Sequence, residues 1–340
     1  MDKQYCNFSS DLEFLNGVRL AELHMHISTS ATPAILWDIA HAQGIRLPTK
    51  DFFEFADLVT IRKATDYENY LKMYDLLEFI QSSPDALFML TEQVCGHLYQ
   101  ENNMNLLEIR MNPLLRTQGG KIDLDHLIVF ALQGMERAML KFPLKVGLIL
   151  SMDRRFTHHE NEAILKKAIK YKDRGIIGVD LAGPISRTDQ AKQFKPSDIA
   201  DLMATAREAG LGVTVHTGEA TDTEEMWQVL NDLKPDRIGH GIACINDTEM
   251  MKHLRENDIV LETCPSSNLK TSAIKDLDDM RRVYGILRDN QVKFTINTDG
   301  PILQQTTLRR EYALLYNEQI LSAEELLRAN EIAHEATFIK

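Results

Sequence analysis

The chain has 340 residues, 44% of them apolar, and its 38 basic and 50 acidic side chains leave a formal charge of −12. That length suits one α/β barrel with insertions and buries a large core without disulfide staples. The acidic balance argues against a phosphate-rich polymer as substrate, because such binding needs a basic groove, and leaves a small nucleoside or base open.

Residues 1–11 are polar, with no basic start followed by an apolar run, so no signal peptide is expected. The first buried strand is expected at 18–23. A long interval follows, with helical patterns at 33–43, 66–79 and 83–99 that would wall the barrel mouth. Further strands are expected at 106–111, 146–150, 176–181, 212–215, 237–239, 259–263 and 293–296. Several are apolar on both faces, as parallel strands covered by helices tend to be. Helical patterns lie between or after them at 161–172, 197–209, 247–256 and 322–329.

Eight strands alternating with helices in one unbroken chain predict a single (β/α)8 TIM barrel spanning 1–340, with extra helices inserted after the first strand. A doubly wound open sheet fits the length and strand count less well. No apolar run is long enough to cross a membrane. Cys6, Cys95, Cys244 and Cys264 are far apart and form no CxxC pair, which predicts free thiols in a reducing cytoplasm.

In such a barrel the chemistry sits at the C-terminal ends of the strands. His24 and His26 close the first strand, and alternation along a strand points both rings to one face. His216 ends the fifth strand, His240 the sixth and Asp299 the eighth. Three imidazole nitrogens and one carboxylate oxygen make a borderline-soft site suited to zinc, with a position left for water. Taken singly, each has an ordinary reading: a hydrogen-bonded strand-end histidine, or an aspartate in a turn. Four of the 11 histidines falling at strand ends on one side of one barrel is what points to a metal. His41, His97, His126 and His253 fall on helical patterns, His158 and His159 in a polar loop before a helix, and His334 has no assigned role. Glu219, three residues beyond His216, is placed for proton transfer; alone it would read as an acidic residue at a helix start.

Six segments occur in order: Glu22-Leu-His-Met-His26, Gly178-Val-Asp-Leu-Ala-Gly183, His216-Thr-Gly-Glu219, Arg237-Ile-Gly-His-Gly241, Cys264-Pro-Ser-Ser-Asn268 and Asn297-Thr-Asp299. Together they resemble the adenosine/AMP deaminase family of the amidohydrolase superfamily. The HxE and PCxxC pattern of cytidine-deaminase zinc sites is absent. The resemblance implies hydrolytic deamination of a 6-aminopurine with one zinc ion per chain, held by His24, His26, His216 and Asp299. It implies that Glu219 protonates a ring nitrogen as water adds to the adjacent carbon. His240 would orient that water, and the Gly183 backbone would bond another ring nitrogen.

Three departures bear on recognition. Gly300 stands where the family carries a second Asp near the five-membered ring, and Ser28 where an acidic residue often meets a sugar hydroxyl. Pro184 and Ile185 follow the Leu-Ala-Gly motif in place of acidic residues. The small residue at 300 is expected to leave a vacancy that admits a substituent and makes adenosine a poor substrate. Free adenine, a modified adenosine or another amino-heterocycle is therefore the alternative. A non-catalytic barrel would have lost a ligand or Glu219, and neither is lost. A binuclear hydrolase needs a bridging Lys or Glu where the fourth strand ends instead in Leu181-Ala-Gly183.

Overall fold

The computed structural model describes residues 12–61, 67–183 and 194–340, so Cys6, Asp66, Pro184 and Ile185 lie outside the described residues. Eight strands form one parallel sheet in sequence order. They are β1 Leu20–His26, β2 Met104–Met111, β3 Lys145–Asp153, β4 Ile176–Ala182, β5 Gly212–Thr217, β6 Arg237–His240, β7 Val260–Thr263 and β8 Phe294–Ile296. Each neighbouring pair from β1–β2 to β7–β8 is parallel. The expected strands are thus all present. β1, β3, β5 and β6 run one to three residues further at their C-terminal ends than the apolar pattern indicated, because those ends carry polar residues such as His26, Asp153, His216 and His240, and β4 adds Ala182.

β1 and β8 meet without a regular ladder. Asp299 bridges Met25, donating its amide to His24 O at 2.9 Å and accepting from His26 N at 2.8 Å. Lower down, Asn297 Oδ1 accepts from Leu23 N at 3.1 Å, and the Glu22 carboxylate accepts from the Thr298 amide and hydroxyl. Side chains therefore replace missing backbone partners at the seam.

Strands apolar on both faces hold only in part. Ala21 and Leu23 pack outward with Ala333 of the helix Ala323–Ala336, as parallel strands under helices must. The inward face of the barrel is largely charged. Glu108, Arg237, Glu262, Arg110 and Asp180 are buried and linked in series across it. Burial of five charges is tolerable because each meets an opposite charge.

Among the described residues, four α-helices lie between β1 and β2: Pro33–Ala42, Phe52–Leu58, Tyr67–Ile80 and Pro84–Asn102. The second was not expected from sequence; at seven residues it is too short to display a 3.6-residue period, and the Asp51 side chain caps it by accepting from Glu54 N at 2.9 Å. His158 and His159 open a helix and do not precede one. Thr157 and Glu160 form a reciprocal capping box, so the helix runs His158–Lys170. Pro196–Ile199 is a 3-10 turn before the helix Ala200–Glu208. No described helix is long and apolar enough to cross a membrane.

The N-terminal end of the barrel is closed by the end of the chain. Phe338 N and the Thr337 hydroxyl both donate to Glu108 Oε1 at 2.6 Å. The Arg237 guanidinium lies 3.6 Å from the centre of the Phe338 ring.

Candidate active site

Because all strands point the same way, their C-terminal ends bring His24, His26, His216, His240 and Asp299 to one cavity floor. Metal-ligand atoms of His24, His216 and His240 lie within 4.8 Å of one another, and so do those of His24, His26 and Asp299. His26 Nε2 faces His216 Nε2 at 3.1 Å. Asp299 Oδ1 is 3.5 Å from His26 Nε2 and 3.8 Å from His24 Nε2.

The outer nitrogens fix which way these rings present their lone pairs. His24 Nδ1 lies 2.6 Å from Glu262 Oε2, and His216 Nδ1 lies 2.9 Å from Asp180 Oδ1. An ionised carboxylate only accepts, so each ring places its proton on Nδ1 and turns a bare Nε2 inward. Burial raises the pKa of both acids, but their partners win: the His216 ring and the Arg110 guanidinium hold Asp180 at about 2, and Arg110 and Arg237 lower Glu262. Burial, then the Arg110 charge, holds His24 well below the ordinary imidazole value; burial and His216 do the same for His26. Neutral imidazole is the ligand form.

His24 Nε2 is buried and has no hydrogen-bond partner. Such an atom is costly unless something binds it. Its neighbours are another inward imidazole nitrogen and a carboxylate oxygen, which is the donor set that suits zinc. The residues present therefore fit the metal that the sequence predicts. His240 also falls within ligand distance, so position alone does not divide the four histidines into three ligands and one catalytic group.

His240 and Asp299 share a second feature. Both are non-glycine residues in the left-handed region, with φ of +62° and +60°. A conformation costing on the order of 1 kcal/mol or more, held just at the end of β6 and just beyond β8, is the kind of strain that functional sites hold. His240 Nδ1 accepts from Asn268 Nδ2 at 3.2 Å, and its Nε2 lies 3.6 Å from Glu219 Oε2. Thr271 Oγ1 donates to Glu219 Oε1 at 2.9 Å, while Ser267 Oγ donates to Asp299 Oδ2 at 2.6 Å.

The cavity above this floor is lined by His26, His216, His240, Asp299 and Glu219, together with Gly183, Asp153 and Tyr74. Gly183 has φ +89°, and a Cβ there would stand 2.4 Å from Asp153 Oδ1. Only glycine brings the main chain this close to the carboxylate.

The adenosine deaminase family profile matches residues 20–340. The adenosine deaminase of Clostridium botulinum (strain 657 / Type Ba4) is 30% identical over 299 residues, covering 86% of each chain.

The chain belongs to the adenosine deaminase family.

As a family member it is a hydrolytic deaminase acting on a C–N bond. The adenine deaminase of Arthrobacter aurescens superposes with a TM-score of 0.84 at 23% identity, covering 94% of each chain. The Arabidopsis N6-mAMP deaminase gives 0.80 at 25% identity, covering 97% of this chain and 96% of that one.

Within this family frame, two of the expected recognition positions sit differently from expectation. Ser28 is buried, outside the cavity lining, and its side chain bonds to Tyr74, which does line it. The vacancy expected at Gly300 is filled. A Cβ at 300 would meet Thr29 Oγ1 at 2.6 Å and Thr29 Cβ at 2.8 Å. The missing side chain therefore opens no space in the direction it would have taken, because Thr29 already occupies it.

Sequence reading missed the supports of this deaminase site. Asp180, Ser267 and Asn268 lie inside quoted motifs, yet no ligand role called attention to them. Glu262 and Arg110 had a usable signal: a charge in the interior of an otherwise apolar buried strand has a partner across the barrel. Thr271 and Tyr74 had none, since helices and the turns that end them carry such residues routinely.

Proposed function

We propose that this single-domain chain hydrolyses the exocyclic C–N bond of a 6-aminopurine nucleoside or base, adenosine or a close relative of it. The carrying observation is the convergence of inward imidazole nitrogens and the Asp299 carboxylate beside the Glu219–His240 pair in one cavity. The names of the relatives, adenosine deaminase, adenine deaminase and N6-mAMP deaminase, support that substrate class. The acidic chain supports a small molecule over a nucleic acid as partner. Cys95, Cys244 and Cys264 are buried and unpaired, which supports a reducing, cytoplasmic setting.

His24, His26, His216 and Asp299 would hold one zinc ion per chain. When bound, the ion supplies a Lewis acid that brings the acidity of water toward neutral pH. The protein's own groups do the rest. Glu219 donates its proton to the ring nitrogen beside the reacting carbon, which makes that carbon electrophilic. His240 orients the incoming water and balances charge on it. The new C–O bond pushes an electron pair onto the protonated ring nitrogen. The pair then returns as the C–N bond breaks; the proton given up by the water is carried by His240 to the leaving amine, and the proton of the new hydroxyl goes back to Glu219. The main chain at Gly183 would hold a second ring nitrogen, the left-handed turn bringing it to the cavity without an intervening side chain.

The test is a substrate panel. Metal-loaded protein is offered adenosine, adenine and N6-methyl-AMP, and the 6-oxopurine product is followed by ultraviolet absorbance. Turnover of at least one is expected; no turnover of any, in protein shown to carry metal, would overturn the assignment.

A further inference from the structure

The motif Cys264-Pro-Ser-Ser-Asn268 plays no part in the chemistry above, yet it opens the helix Pro265–Lys270 that follows β7. Three contacts from this short segment reach three different side chains of the site. Ser267 donates to Asp299, Asn268 to His240 and Thr271 to Glu219. Positions i, i+1 and i+4 fall within about 100° of arc on a helix, so one face serves all three. These targets come from three different strand ends, and no other short segment described here touches all of them.

The same helix is tied to the structures around it by Lys270. Its ammonium donates to Ile61 O at 3.1 Å and also to Gln304 O. Ile61 lies just beyond the inserted helix Phe52–Leu58, and its own amide donates to Leu303 O at 2.8 Å. Gln304 lies on the loop after Asp299 and donates from Nε2 to Ser267 Oγ at 3.3 Å. Burial brings the Lys270 pKa down to about 8, with the nearby Glu311 carboxylate opposing, so the ammonium and its donors are present at neutral pH.

We propose that residues 265–271 form one positioning element that aims Asp299, His240 and Glu219 together, and that Lys270 sets its place by joining it to the insert and to the loop after β8. Ser267, Asn268, Thr271 and Lys270 are positioning residues and touch no reacting atom of the substrate. The segment links the insert that walls the cavity to the alignment of the reacting groups. Misplacement by about 1 Å costs up to about 100-fold in rate, so a small shift of this helix is felt in kcat.

This inference rests on the reading of Glu219 and His240 as reacting groups and of Asp299 as a metal ligand, and the experiment separates the two. Lys270→Met, Lys270→Arg, Thr271→Val and Glu219→Gln are made in the full chain. Each is assayed with the best substrate of the panel, with metal content and Tm measured alongside. Lys270→Met and Thr271→Val are expected to lower kcat about tenfold with KM and metal content near wild type, since the loss is of alignment and not of binding. Lys270→Arg is expected to recover most of the rate, because its guanidinium still donates to both carbonyls. Wild-type kcat in Lys270→Met and Thr271→Val, or an Arg variant no better than Met, overturns the proposal. So does a rise in KM with kcat unchanged. If Lys270→Met does not fold, Thr271→Val decides, since it removes one hydroxyl at nearly constant shape. A fully active Glu219→Gln removes the reading of the reacting groups itself; an inactive Glu219→Gln beside wild-type positioning variants removes this inference alone.

Discussion

The Thr29 side chain stands where any side chain at position 300 would have to go, with its Oγ1 2.6 Å and its Cβ 2.8 Å from the Cβ that residue 300 would carry. Thr29 is also fixed by its backbone, whose carbonyl accepts from Ile302 N at 3.1 Å and Leu303 N at 3.2 Å. Thr29 and Gly300 therefore behave as one unit, and a carboxylate cannot be restored at 300 without moving Thr29.

The consequence is a double-mutant cycle. Gly300→Asp alone is expected to lower kcat/KM for adenosine and to destabilise the protein, since the new Cβ pushes on Thr29 and through it on the Asp299 loop. Thr29→Gly with Gly300→Asp together should recover more than the single effects sum to, with a coupling of about 1–3 kcal/mol. Measured kcat/KM values that simply add would show that the two positions are independent.

Metal binding should depend on the His216 ring and on the Asp180 carboxylate behind it. His216→Ala is expected to abolish both bound metal and turnover, because the remaining donors make a poorer site. Asp180→Asn leaves the ring in place but weakens the hold on its Nδ1 proton, so metal affinity should fall by about 10- to 100-fold. Elemental analysis after dialysis against graded chelator reads both. Wild-type metal content in His216→Ala would remove His216 from the ligand set.

Glu219→Gln should keep the metal and lose turnover. The amide is nearly isosteric and still accepts from Thr271, but it cannot deliver a proton. General acid catalysis contributes about 10²–10⁴-fold, and a loss of at least that order in kcat is expected. Normal turnover would make Glu219 a structural residue.

Phe338 lies at the opposite end of the barrel from the reacting groups, against Gly212 at the start of β5 and under the Arg237 guanidinium. Phe338→Ala is expected to cost about 1–3 kcal/mol of stability through lost packing and the lost cation–π contact. The urea midpoint should fall while kcat of the folded protein stays unchanged. A fall in kcat with no change in midpoint would mean that the tail acts on the site and not on the barrel.

The sequence by itself determined the barrel and its reactive end. Strand length and alternation are local properties, so His24 and His26 had to share a face, and parallel strands in order had to bring His216, His240 and Asp299 to the same end. Residue types then limited what those groups could bind. What lies behind them was decided only by the tertiary structure. Glu262 holds His24 from a strand 238 residues away, and Asp180 holds His216 from a neighbouring strand. The barrel interior is charged because those distant carboxylates and arginines neutralise one another, which no window of sequence contains. The space beside Gly300 was misjudged for the same reason. A missing side chain reads as a vacancy along the chain, but whether it is empty depends on a neighbour in space, and that neighbour is Thr29.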